Sequence, residues 1–254
     1  MAVAPESREG LLMQATEQLV ELRRQLETAR AHLSVDAVHE VRVVGRRLHV
    51  FLLLCRQPVL VDDLRWLVGA LGPVRDLDVA LGLMPGQQGA FHDWLTTRRE
   101  AATAGALAVV RHRRVDALVR ALAVLPALTA RQATPAFRRL EERLARAWRV
   151  GRRERTVEAL HDVRKAVRRA RYALEWLGRD AEGLRETQGV LGEVCDLSLL
   201  QRLLAEAGAP AAVDHVDRAL NALTAAVFSS PRLRRSPGKA RAREGWSPAT
   251  SDRV

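Results

Sequence analysis

Apolar residues recur at spacings of three and four along almost the whole chain, and the valines mostly stand singly inside that pattern, so the sequence predicts an all-helical fold without strands. Proline and glycine set the expected boundaries. A first helix is expected over 8–33 with Ser7 as N-cap, and a second from Val35 or Asp36 to Arg56, stopped by Pro58. A third covers 61–71, breaks at Gly72-Pro73 and resumes to 83; a fourth, 90–125, is long enough to bend at Gly105 and closes at Pro126. Thr134-Pro135 has the form of a helix start with proline at the first position. That helix passes near Gly151 into one ending around Gly178, and two more follow over 181–207 and 211–228. Eight helices in two sets of four is the simplest count. From 229 to 254 the periodicity disappears and three prolines intervene, so a disordered tail is expected.

At 254 residues the chain is one large domain or two small ones, with enough burial to fold without disulfide or metal staples. Its two cysteines, Cys55 and Cys195, lack any ligand spacing, which makes a reducing cytosol the default. No apolar run approaches the roughly 18 residues of a membrane helix, and the first ten residues lack a signal-peptide core. The formal charge of +11 raises nucleic acid as a partner, but only Lys165 and Lys239 are lysine and isoleucine is absent, as a GC-rich genome would produce whatever the function. Seven cationic and two acidic side chains, nearly half of that net charge, lie in the tail. Where the remaining arginines sit therefore carries the information.

The chain contains an internal repeat. Val38-His39-Glu40-Val41-Arg42, continued by Arg46-Arg47-Leu48, matches Leu160-His161-Asp162-Val163-Arg164, continued by Arg168-Arg169-Ala170, at an offset of 122 residues. Leu71-Gly72-Pro73-Val74-Arg75-Asp76-Leu77-Asp78 matches Leu191-Gly192-Glu193-Val194-Cys195-Asp196-Leu197-Ser198 at an offset of 120. Two blocks in one order at nearly one offset predict a duplication: two bundles of about four helices, spanning 8–126 and 134–228, related by pseudo-two-fold symmetry.

At about 100° per residue, His39, Arg42, Arg46 and His49 share an arc of roughly 80°, opposite Val41, Val44, Leu48, Phe51 and Leu52. His161, Arg164, Arg168 and Arg171 share the same arc in the second copy, with Lys165 and Tyr172 at its edge. Each row extends roughly 15 Å, too long for one phosphate and suited to an extended polyanion. A single charged stripe is ordinarily a solvated face. Here, however, a histidine opens both rows, and Glu40 and Asp162 are expected to point away, leaving Glu175 as the near carboxylate. Like charges at i and i+4 repel, so such rows make sense with an anion between them. Arg47 and Arg169 fall about 100° off the rows, where they pair with neighbouring carboxylates or widen the groove.

These residues resemble the CHAD domain, the conserved-histidine α-helical domain, over roughly 8–228, with 229–254 left as tail. The resemblance implies two four-helix bundles around a central basic groove that binds inorganic polyphosphate without catalysis or cofactor, in the cytoplasm or on polyphosphate or storage granules. The positions carried over are His39, Arg42, Arg46 and Arg47, then His161, Arg164, Lys165, Arg168 and Arg171. The family usually has arginine where His49 stands and often asparagine where Cys195 stands.

Two other chemistries compete. Asp76 and Asp78, at i and i+2, do not share a helix face, and only Asp76 is repeated, so helix capping or pairing with row arginines is expected of Asp76 and Asp196 rather than metal binding. An enzyme of phosphoryl transfer would need a phosphate-cradling GxxxxGK[ST] loop or an ExExK set, and neither is present. Nucleic acid is the alternative ligand, with the basic tail as its expected contact, but aromatics are only 4% and the rows hold just Tyr172 for stacking.

Overall fold

The computed structural model describes residues 8–84, 89–125 and 128–230, and among these every regular element is helical. Ten helices succeed one another: α1 (Arg8–Ala31), α2 (Val35–Cys55), α3 (Pro58–Ala70), α4 (Gly72–Gly82), α5 (Ala90–Val110), α6 (Arg113–Ala123), α7 (Ala130–Glu154), α8 (Val157–Trp176), α9 (Glu182–Glu206) and α10 (Pro210–Ser229). The expected N-cap Ser7, the stop at Pro126 and the tail from 231 lie outside the described residues. No described helix is long and apolar enough to cross a membrane.

The expected break in the third helix is present, at Leu71, and separates α3 from α4. Three local expectations are corrected, and the expected eight helices become ten among the described residues. The fourth helix is two, and the break falls at Arg111-His112 rather than at Gly105, which stays helical. There His112 Nδ1 accepts from the Arg114 N–H at 3.1 Å, an imidazole doing the work usually given to a hydroxyl or carboxylate. The start placed at Thr134-Pro135 lies earlier. Thr129 and Gln132 form a capping box, and Pro135 sits inside α7. The junction expected near Gly151 falls at Arg155, whose left-handed φ of 54° ends α7 before Thr156 caps α8.

α2 occupies the middle of the molecule and is buried on two sides. Val38, Val41, Val44, Leu48 and Leu52 pack with Leu22 and Leu26 of α1, Leu64 and Leu67 of α3 and Val115 and Leu118 of α6. Val50, Phe51 and Leu54 pack instead with Phe137 and Leu140 of α7 and Tyr172 and Trp176 of α8. The Phe51 and Trp176 rings lie 4.7 Å apart, and Trp176 Nε1 donates to the Arg47 carbonyl at 2.9 Å. Gly45 costs helix propensity, yet a Cβ there would stand 2.6 Å from Val68 Cγ2, so its missing side chain is what lets α3 approach. α7 to α10 share a third core around Leu144, Trp148, Val163, Val167, Leu191 and Leu220. Leu77, Ala80 and Leu95 meet Leu203 of α9, joining α4 and α5 to the later helices.

Asp78 has a structural role. Its fully buried carboxylate takes the Arg99 guanidinium at 2.5 Å, and Arg99 also donates to the Leu33 carbonyl at 3.1 Å, tying α4, α5 and the α1–α2 turn together.

Candidate polyanion site

Both row-bearing helices start from a hydroxyl cap. Ser34 accepts from the Ala37 N–H at 3.1 Å and Thr156 from the Ala159 N–H at 3.2 Å, each cap five residues ahead of the histidine that opens its row. The caps share the 122-residue offset of the motif. They fix where each helix begins, and so the direction in which His39 and His161 emerge.

The arginine that follows each histidine is laid over the glycine of the other repeated block. Arg42, 8% exposed, donates from Nη1 to the Val68 carbonyl at 2.6 Å, and a Cβ on Gly72 would come 3.4 Å from that nitrogen. Arg164 lies the same way over Gly192, at 3.6 Å from Nη2. The Nε of each is buried without a hydrogen-bond partner. Burial lowers the pKa of Arg46, as does Arg164 across from it. Burial, then Arg46 and Arg164, push Arg168 down to about 9; burial, then Arg46, push Arg42 down to about 10. Such displacement marks cations gathered out of water and against one another.

Asp76 and Asp196 are the carboxylates set among them, inside α4 and α9 rather than at caps. Asp76 senses Arg42, Arg202, Arg46 and His161, and its Oδ2 lies 4.0 Å from Arg202 Nη2. Asp196 senses Arg164, Arg75 and Asp76. Burial raises both carboxyls. Arg42, Arg46, Arg75, Arg164 and Arg202 thus share two carboxylates, Arg168 stands against Arg46 and Arg164, and a net positive charge is left where α2, α4, α8 and α9 meet.

A model of the CHAD domain matches residues 13–205. The chain belongs to the CHAD family. Its fold is that of two solved structures: the CHAD domain from the plant Ricinus communis, 24% identical, covering 92% of each chain at a TM-score of 0.68, and PptA from Streptomyces chartreusis, 22% identical, covering 91% of this chain and 96% of that one at 0.65. No curated protein matches the chain.

The remaining positions of this CHAD domain divide by place. His39 and His161 are partly exposed, each reaching solvent, and the pKa of each is lowered, chiefly by partial desolvation, then by Arg75 for His39 and by Lys165 for His161. Glu40 and Asp162 do not point away as expected: Glu40 lies 3.9 Å from His39 Nε2, and Asp162 takes the Lys165 ammonium at 3.1 Å. Arg171 is held by Glu175 at 3.4 Å and lies over the Tyr172 ring at 4.5 Å, so it is a tethered end of its row. Arg47 also lies against the Tyr172 ring, 5.7 Å from its centre, and lines a recess with Glu17, Gln18, Glu175 and Trp176. His49 is partly buried beside Arg169, Arg65 and Arg168 and pushed down to about 4, chiefly by burial, so it is neutral at pH 7. Arg75 was missed in the sequence, although it stands in the second repeated block one residue before Asp76. Among the described residues no group of three His, Cys, Asp or Glu is arranged to hold a metal ion.

Proposed function

We propose that this CHAD protein binds inorganic polyphosphate, without catalysis, in a basic groove where α2 faces α8. The observation that carries the reading is the convergence of Arg46 with Arg164 and Arg168 from helices whose rows lie 122 residues apart in sequence. Two short carboxylates do not balance such a cluster, whereas a linear chain with a charge on every unit would. Guanidinium forks and imidazolium groups are suited to phosphate oxygens through charge-assisted hydrogen bonds. The nearest aromatic ring is Tyr172, itself buried and already in contact with Arg47 and Arg171, so stacked bases gain little here.

A competition titration tests this. Long-chain polyphosphate is expected to displace single-stranded DNA or RNA of equal charge, from the whole chain and from a version ending at residue 228. Preference for nucleic acid would overturn the reading.

Affinity is also expected to rise as pH falls from about 8 to 6. The free protein holds His39 and His161 below their ordinary range, and a bound polyanion raises them, so binding takes up protons. An affinity that stays flat over that window removes the histidines from the site.

A further inference from the structure

Among the described residues outside the groove, some cations are partnered, Arg24 with Glu21, Arg30 with Asp116, Arg98 with Glu206 and Arg114 with Asp63, and others, including Arg23, Arg113, Arg120 and Arg218, are not. α7 carries three unpartnered arginines close together on a helix packed against α8. Its buried stripe, from Ala133 through Leu140 and Leu144 to Trp148, fixes which side meets solvent. Arg139, Arg143 and Arg146 stand along one edge of the exposed side, within an arc of roughly 60°. Among the described residues none of the three has a hydrogen-bond or ion-pair partner; Glu142 lies beside them without pairing.

This edge continues the groove. α7 and α8 form an antiparallel hairpin, since Phe137 and Leu140 share a core with Tyr172 and Trp176 while Leu144 and Trp148 share one with Leu160 and Val163. Arg143 is therefore brought next to Arg169, which feels it together with Arg65. Arg169 in turn follows Arg168, whose pKa is pushed down chiefly by burial and then by Arg46 and Arg164. The path Arg168, Arg169, Arg143 leads from the cluster to open surface, past Asp162, Asp62 on Arg65, and the unpaired Glu142.

We propose that the Arg139, Arg143 and Arg146 edge of α7 is an outer track for the part of a long polyphosphate chain that emerges from the groove past Arg168 and Arg169. The proposal rests on the polyphosphate reading of the groove and deepens it: the groove holds a few phosphates, and the track adds selectivity for length. An edge of unpaired, exposed guanidinium groups about 10 Å long suits a flexible polyanion with no fixed shape.

The test uses the full chain carrying Arg139→Gln, Arg143→Gln and Arg146→Gln together, with tripolyphosphate and long-chain polyphosphate titrated over a salt series. Long-chain affinity is expected to fall about tenfold or more, and its log–log salt slope to flatten by about 2, from three lost contacts at roughly 0.7 each. Tripolyphosphate affinity is expected to stay as it was. An unchanged long-chain affinity and slope overturns the track. Equal loss for both ligands also overturns it, because that reports only the general field of the protein. Weakened binding of single-stranded DNA with polyphosphate unaffected overturns it in favour of a nucleic-acid face. The groove variant Arg46→Met with Arg168→Met, run alongside, keeps the two readings apart. Full tripolyphosphate binding by that variant sinks the groove itself, and the track as its continuation with it.

Discussion

Replacing Arg46 and Arg168 together by methionine is expected to abolish polyphosphate binding and, at the same time, to make the protein more stable. Each guanidinium offers charge-assisted hydrogen bonds to phosphate worth roughly 1.5–3 kcal/mol, so losing two weakens binding by at least about a hundredfold. The stability gain comes from the same crowding. A guanidinium keeps its proton at any working pH, so the unfavourable setting that pushes Arg168 down to about 9 is carried by the folded state. Exchanging buried charges for apolar side chains of similar volume commonly stabilises by about 1–4 kcal/mol. For a chain of this size roughly 2–4 °C of Tm accompanies each kcal/mol. Thermal melts with and without polyphosphate read both effects: the free variant melts above the native protein, and ligand no longer raises its Tm. A variant that binds normally removes these arginines from the site. A variant that binds poorly and melts lower makes them structural supports instead.

Acid should unfold the protein through His49. Burial first, then Arg169, Arg65 and Arg168, hold its imidazole at about 4, whereas the unfolded chain returns it to about 6.5. The unfolded state therefore takes up the proton first. Stability from this residue is fully present above about pH 6.5 and is lost as pH falls towards 4, in an amount of about 3 kcal/mol. His39 and His161 act in the same direction, while Asp76 and Asp196, raised by burial, act in the opposite one. Urea unfolding of the native protein and His49→Leu at pH 7 and pH 4.5 isolates the residue. The variant is expected to lose less stability than the native protein between those two values; an equal loss assigns the acid sensitivity elsewhere.

The contrast between what was legible in the sequence and what was not has a physical basis. The all-helical fold was readable because apolar residues at three- and four-residue spacing can bury a face in no other way. Helix ends were less readable where a weak local preference competed with a specific contact. Gly105 has open space around it and stays helical, while His112 ends one helix and caps the next with a ring nitrogen. The Thr129 and Gln132 box outweighs the signal of Pro135. Arg155 adopts a left-handed turn that its residue type does not announce. The row spacing at the candidate site followed from helix geometry alone. Its meeting with Arg75, Asp76 and Asp196 did not, because that depends on α4 and α9 crossing near α2 and α8, and neither did the burial of Arg42 beneath Gly72.

The two-sided burial of α2 also limits how such a protein can be divided. A chain ending after α6 would leave Val50, Phe51 and Leu54 facing water, and one beginning at α7 would lack the helix that Phe137, Tyr172 and Trp176 enclose. Neither fragment would own a binding row with its opposite number. A cut between α6 and α7 therefore leaves two exposed cores, and a unit fused to other proteins has to carry both sides of α2 together.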